Sequence, residues 1–238
     1  MGNIPMQQEM ILNSKQKSNI QENLLSLYLR LNGYFVTGFI VHSPDRGKIA
    51  TEIDVLGVRF PYSSEPERQV EADASLDLST SRLELAICEV KSKGEPLHFN
   101  NALLKSPNRI ASILRWAGIH KEENIEKLSD QVHKSLQTKN LTKSRPPTIE
   151  YGANSRIRGL LCSPERHEQR DNQQWFISEK MLFEYIHHCL CPDNPRDTCT
   201  TRYDFGQWGE YEKTVRYFKS REDGSYGTIK NLYEYYQG

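Results

Sequence analysis

The spacing of apolar residues predicts a helix followed by three strands in the first part of the chain. Ser18 would cap this helix, and Gly33 would end it in a left-handed conformation. Three runs typical of strands follow: 34–42 is rich in aromatic and β-branched residues, and 51–60 and 83–90 are mostly apolar. Because a short turn and a polar excursion join these runs, we expect an antiparallel meander. The apolar residues that share one face of the helix are Ile20, Leu24, Leu27 and Leu31.

The remainder of the chain predicts helices with two further strands between them. The order lacks the strict alternation of strand and helix that defines a doubly wound fold. We therefore expect an α/β protein of the α+β type, with a mixed sheet and additional C-terminal helices. The expected elements are helices at 108–117 and 121–138, strands at 156–162 and 174–177, a helix from Ser178 to about Leu190, and helices near 208–218 and 228–236.

Composition indicates a globular protein. Hydrophobic residues make up 37% of the 238 residues and charged residues 26%, which leaves enough apolar material for a core. The chain has no apolar run of about 18 residues and begins without the apolar stretch of a signal peptide, so we expect a cytoplasmic protein with no membrane segment. The 5 cysteines, an odd number, favour a reducing compartment. We divide the chain into an N-terminal extension (1–17), a core (18–190) and a C-terminal helical extension packed on that core (191–238).

The candidate catalytic residues lie where the third predicted strand ends. Glu89 and Lys91 are two positions apart, so in a strand their side chains point to one face, after an apolar row. Buried charges are costly without partners, so both groups should be paired. In an antiparallel hairpin, the start of the second strand lies beside the end of the third, which brings Asp54 next to Glu89. On its own strand, Asp54 would share a face with Leu56 and Val58.

Two adjacent carboxylates repel each other unless a cation binds or one of them takes up a proton. Mg²⁺ takes oxygen ligands and retains waters that a phosphate can replace. A neighbouring lysine can position the attacking water or stabilise the transition state. Asp54, Glu89 and Lys91 therefore indicate metal-assisted hydrolysis of a phosphodiester. Glu22, in the first turn of the predicted helix, would face the groove between helix and sheet and support them.

At these positions the sequence resembles a known family. The helix with Glu22, the strand TEIDVLGVRF (51–60) and the strand end CEVK (88–91) are similar to the PD-(D/E)xK superfamily of restriction-endonuclease-like nucleases, in its Mrr-like and Holliday-junction-resolvase-like branches. The resemblance covers residues 18 to 162, and Ile53 stands where the family pattern has proline.

The resemblance implies an αβββαβ core and a set of roles. Asp54 and Glu89 would bind Mg²⁺ together with the backbone carbonyl of Val90, and Mn²⁺ would substitute for Mg²⁺. Lys91 would be catalytic, and Glu22 would assist.

Basic residues that follow the candidate site are the expected contacts to nucleic acid. Because the formal net charge is +0, such contacts depend on local patches and bound cations. Candidates for phosphate contact after the third strand are Lys93, Lys105 and Arg109. Arg156 and Arg158 alternate on the fourth predicted strand and would form a second patch.

Residues and resemblance together predict a Mg²⁺-dependent endonuclease that hydrolyses DNA. Restriction, phage defence and DNA repair are all possible settings, with a homodimer or a partner subunit of a larger complex as the expected assembly. Two alternatives stay open. One is an inactive nucleic-acid-binding or interaction subunit with the same fold, and the other is a nuclease directed at RNA.

Overall fold

The computed structural model describes residues 12–43, 45, 47–64, 69–168, 174–192, 205–221 and 224–238. The first residues of the predicted N-terminal extension (1–11) and part of the predicted C-terminal extension (193–204) lie outside the described residues. The helices are α1 (Ser14–Leu31), α2 (Pro107–Ala117), α3 (Glu122–Leu136), α4 (Glu179–Leu190), α5 (Glu212–Lys219) and α6 (Ile229–Gln237). The strands are β1 (Phe35–His42), β2 (Ile49–Arg59), β3 (Leu83–Val90), β4 (Thr148–Tyr151), β5 (Ser155–Ser163) and β6 (Ile177–Ser178).

The strands form one mixed sheet in the order β1-β2-β3-β5-β4, with β6 paired to β5. β1, β2 and β3 are the antiparallel meander expected from their short connections. β3 and β5 are parallel, and α2 and α3 lie in the crossover between them. The predicted fold class, an α+β arrangement around a mixed sheet, is confirmed.

β3 lies in the middle of the sheet and is buried on both faces, which explains its nearly continuous apolar sequence. Ala86 and Cys88 pack in the core cluster that contains α1, α4, α5 and α6. Leu85 and Ile87, on the opposite face, pack against α2 and α3. The two layers of helices therefore meet β3 from opposite sides, and the end of this strand is the point where the candidate residues lie.

The start of α1 corrects the predicted cap. The helix begins at Ser14, and its N-cap is Asn13, which forms a capping box with Gln16. The pattern of apolar residues did not predict this earlier start, because the residues before Ile20 are polar and add nothing to the apolar face of the helix. Ser18 instead donates its hydroxyl to the Glu22 carboxylate over 2.9 Å. Glu22 is thus well past the first turn, so the prediction that it lies in the first turn of the helix is wrong.

Two other differences concern short strands. β4 was not predicted, because its four residues carry little pattern of their own and pair only with β5. β6 is reduced to Ile177–Ser178, and its second residue, Ser178, is also the predicted N-cap of α4. Gly33 ends α1 as predicted, with a φ of 84° that favours glycine. None of the described helices combines the length and the apolar character that crossing a bilayer requires.

A buried carboxylate, Glu84, anchors the first half of β3. It is fully buried and accepts hydrogen bonds from the Tyr34 hydroxyl over 2.8 Å and from the Ser79 backbone N–H over 2.7 Å. The guanidinium of Arg158 on β5 lies 3.3 Å from the same carboxylate. These bonds connect β3 to the chain after α1, to the excursion before β3 and to the neighbouring strand.

Candidate active site

Asp54 meets the end of β3, as the predicted hairpin requires. Val55 pairs with Cys88, and the same antiparallel register places Asp54 beside Glu89. The backbone N–H of Val90 donates to Oδ2 of Asp54 over 2.7 Å. The Asp54 carboxylate therefore occupies the position at which the β2–β3 hydrogen-bond ladder ends.

A β-bulge sets the direction of Asp54. Thr37 pairs with Leu56, but two residues later Phe39 pairs with Ile53, so Asp54 and Val55 together oppose Gly38 alone. Val55 packs in the layer of α1, whereas Leu56 packs against α2 and α3. Asp54 lines a cavity of about 350 Å³ together with Asn19, Glu22 and Ser26 of α1. The expectation that Asp54 shares a face with Leu56 is therefore wrong, since the bulge turns it towards α1.

Glu89 and Lys91, at the end of β3, form a close ion pair. The Lys91 ammonium lies 2.7 Å from Oε1 of Glu89, and their side chains are 14% and 5% exposed. Glu89 continues the row of Leu85 and Ile87, as the strand period predicts. The backbone N–H of Asn100, in the loop before α2, also stabilises the Glu89 carboxylate. Both charges thus have the partners that burial demands.

The backbone of Lys91 is held firmly by β5. Its N–H donates to the carbonyl of Cys162 over 2.8 Å, and its carbonyl accepts the Ser163 hydroxyl over 2.6 Å. The sequence pattern did not point to Ser163, because an isolated serine at the end of a buried strand carries no distinctive signal. The bonds fix where the lysine side chain leaves the strand.

Three carboxyl groups of the site resist ionisation, and burial is the largest cause in each. Burial raises the pKa of Asp54, while the Val90 N–H and the nearby Lys91 lower it. Burial and then repulsion from Asp54 raise the pKa of Glu89, against the effect of Lys91. The pKa of Glu22 is raised by burial and by repulsion from Asp54 and Glu52, although the Ser18 hydroxyl opposes this. Asp54 therefore repels an acid on each side of it, which a bound cation would relieve.

The donor set fits a hard cation held by few protein ligands. Among the described residues, no three His, Cys, Asp or Glu side chains are grouped closely enough to hold one ion. Asp54 and Glu89 supply two carboxylates. The N–H of Val90 points towards Asp54. In a strand, the N–H and the carbonyl of one residue point to the same side, so the Val90 carbonyl also points towards β2. The two carboxylates and the Val90 carbonyl offer only oxygen ligands, which suits Mg²⁺, an ion that retains several waters.

The basic residues after β3 are placed unequally. Lys93 and Lys105 are exposed on the loop that leads from β3 to α2, where a phosphate can reach them. Arg109 is half-buried, and its guanidinium donates to the carbonyl of Ala102. The lysines are therefore better placed for contact with a phosphate than the arginine.

The predicted patch of Arg156 and Arg158 is corrected by burial. Arg158 is 2% exposed and its guanidinium faces Glu84, so it is not available at the surface. Arg156 lies 2.8 Å from Glu150 and 3.5 Å from Glu84. The strand period correctly placed both side chains on one face, but this face meets acidic residues rather than solvent. Their charges are already neutralised within the fold.

Comparison with protein families, with curated proteins and with solved structures finds no match to this chain. The resemblance to restriction-endonuclease-like nucleases rests on the residues of the site and on the order of the elements that carry them.

Proposed function

We propose that this chain is a metal-dependent nuclease that hydrolyses phosphodiester bonds in DNA. The observation that carries the proposal is that Asp54, in the middle of β2, lies beside the end of β3, which carries Glu89 and leads directly to Lys91. The two acids lie side by side in the strand register, and the lysine is 2.7 Å from one of them. A packing role alone does not account for two neighbouring acids, Glu89 buried and Asp54 half-buried, whose ionisation is disfavoured.

Asp54, Glu89 and the Val90 carbonyl would hold Mg²⁺, or Mn²⁺ in its place. When bound, such an ion polarises the phosphate and lowers the pKa of a water molecule. Lys91, oriented by Glu89, offers an ammonium that can stabilise the charge developing on the phosphate. Glu22 lines the same cavity as Asp54, and its raised pKa suits a group that takes a proton from water.

Approach of the nucleic acid from the side of the β3–α2 loop would bring the backbone past Lys93 and Lys105. Phosphate contacts of this kind position a nucleic acid without reading its sequence. The proposal therefore includes no sequence specificity. Cutting of both DNA strands would need two sites, for which a homodimer or a partner subunit is the simplest arrangement.

Asp54→Asn is expected to abolish cleavage, because it removes a ligand charge while keeping the side-chain size. The wild type and this variant should be incubated with supercoiled, linear and single-stranded DNA and with RNA, in Mg²⁺, in Mn²⁺ and in EDTA. Asp45→Asn, a change of an exposed aspartate in the turn before β2, is the matched control and should cleave normally.

Three results of this assay would decide between the candidate functions. Cleavage of RNA alone would move the proposal to an RNA-directed nuclease. Binding of nucleic acid without cleavage in either metal would favour an inactive binding subunit. Cleavage that persists in EDTA, or in Asp54→Asn, would contradict the proposed site.

The metal-free protein should lose stability as the pH rises through the range in which these acids ionise. Burial raises the pKa of Asp54 above its ordinary value of 3.8 and that of Glu89 above 4.5, so the folded state holds these protons more tightly than the unfolded state. Their contribution to stability is complete below the unfolded pKa values and is lost as the pH passes the raised ones.

Denaturation curves from about pH 4 to about pH 8 would measure this loss. The double variant Asp54→Asn, Glu89→Gln should be less sensitive to pH than the wild type, because neither replacement side chain titrates. Equal pH dependence in the two proteins would contradict the prediction. Added Mg²⁺ should stabilise the wild type most at the upper end of this range, where the ligands are ionised.

A further inference from the structure

We infer that Tyr233, in the C-terminal helix α6, is a positioning residue for the site at the end of β3. Its phenol connects α1 to the segment that follows Lys91. The inference rests on the proposed nuclease function for its kinetic consequence, while its structural part can be tested without any activity.

The connection is a chain of hydrogen bonds that runs from a buried bond at Gln21 to an exposed bond at Lys93. The Gln21 amide donates to the Tyr233 hydroxyl over 2.7 Å, and this hydroxyl donates to Oε1 of Glu165 over 3.0 Å. Oε2 of Glu165 accepts the backbone N–H of Lys93 over 2.9 Å. The Gln21 amide also lies 3.4 Å from the hydroxyl of Ser92. The phenol therefore links Gln21, which contacts Ser92, to Glu165, which binds Lys93.

This series of hydrogen bonds ends next to two residues of the candidate site, Glu22 and Lys91. Gln21 directly precedes Glu22, and it is 1% exposed, so its amide has no access to bulk water. Ser92 and Lys93 directly follow Lys91, whose own backbone is held by Cys162 and Ser163. The Tyr233 hydroxyl thus sets the spacing between the helix that carries Glu22 and the strand end that carries Lys91.

Removal of this hydroxyl leaves two polar groups without their partner. The Gln21 amide would keep only the long contact to Ser92, and Glu165 would lose the bond that orients the carboxylate towards Lys93. A buried polar group without a good partner moves to find one, or admits water. Either response shifts the residues that directly follow β3, and Lys91 with them. Small displacements of catalytic groups have large effects on rate.

Tyr233→Phe is the direct test, and Tyr236→Phe is its matched control. Tyr236 lies in the same helix and also has a hydrogen-bonded hydroxyl, but its partner is Thr214 of α5, at 2.8 Å. We expect Tyr233→Phe to lower kcat by about tenfold to a hundredfold, with KM changed by less than about twofold. Tyr236→Phe should change neither constant by more than about twofold.

Amide hydrogen exchange provides a readout that does not depend on catalysis. The Lys93 amide is expected to exchange at least about fivefold faster in Tyr233→Phe than in wild type, because Glu165 no longer holds it firmly. Tyr236→Phe should leave this amide unchanged. The same spectra show whether the rest of the fold is intact, since a general loss of stability would speed exchange throughout the core.

The possible outcomes separate the inference from the proposed function. Unchanged exchange at Lys93 in Tyr233→Phe would overturn the structural connection. Faster exchange with an unchanged kcat would overturn the positioning role. If the wild type cleaves no substrate, the proposed function fails, and exchange alone then decides whether Tyr233 orders the segment after Lys91.

Discussion

Lys91→Met is expected to reduce metal-dependent cleavage by about a hundredfold to a thousandfold, the usual loss when one group that stabilises the transition state is removed. Methionine keeps an unbranched side chain of similar length, so the packing at the end of β3 is retained. What disappears is the ammonium that lies 2.7 Å from Glu89. The loss should appear mainly in kcat, because the lysine is largely enclosed beside Glu89 in the candidate site rather than exposed on a binding surface.

The variant should also respond differently to pH. Lys91 lowers the pKa of Glu89, so its removal leaves the neighbouring acid with burial and Asp54 as the dominant influences, and both raise that pKa. Lys91→Met should therefore be more destabilised at neutral pH, where Glu89 would be ionised without a partner, than in mild acid. Denaturation of the metal-free proteins at both pH values measures this difference.

A matched control is Lys180→Met, which removes an exposed lysine that lies 3.0 Å from Glu168. An ion pair of this kind contributes little to stability, and it lies outside the candidate site. Its kcat should match that of the wild type. If Lys91→Met keeps a kcat within about tenfold of the wild type, Lys91 is not the catalytic lysine and the proposed mechanism is wrong.

Much of this site was predictable because strand periodicity is a local property. Two charged residues at the end of an apolar strand, with an acid at the start of the strand before it, predict convergence as soon as the connection is antiparallel. The structure confirms that Asp54 is beside the end of β3. Glu89 also lies on the face that the row of Leu85 and Ile87 indicates.

Features that depend on contacts between distant segments were not predictable in this way. The bulge at Asp54 and Val55 follows from the pairing of β2 with β1, and the only local sign is Gly38 opposite it. The burial of Arg158 follows from a partner, Glu84, on a strand that is far away in the chain. Tyr233 looked like one aromatic residue among several in an amphipathic helix, and only the folded chain brings its hydroxyl to Gln21.

Glu84→Gln is expected to destabilise the folded protein by about 3–5 kcal/mol, the range for breaking a buried ion pair on one side. Glutamine preserves the shape of the side chain, but its single amide oxygen can accept only one of the two hydrogen bonds from Tyr34 and Ser79, which contact different carboxylate oxygens of Glu84. It cannot neutralise Arg158, whose guanidinium is 2% exposed and would remain charged in the interior. Chemical denaturation at neutral pH gives the difference in the free energy of unfolding directly, provided that the slopes of the transitions agree.

Two comparisons identify the uncompensated charge as the cause. Glu150→Gln removes a carboxylate that is 44% exposed and 2.8 Å from Arg156, and it should cost less than about 1 kcal/mol. Adding Arg158→Met to Glu84→Gln should recover part of the lost stability, because the charge without a partner is then gone. If Glu84→Gln is no more destabilising than Glu150→Gln, or if the double variant is the least stable of the three, Glu84 does not stabilise the sheet by neutralising Arg158. Recovery in the double variant would show that Arg158 neutralises Glu84 within the fold, so that this arginine is not one of the phosphate contacts, whereas Lys93 and Lys105 stay exposed for that role.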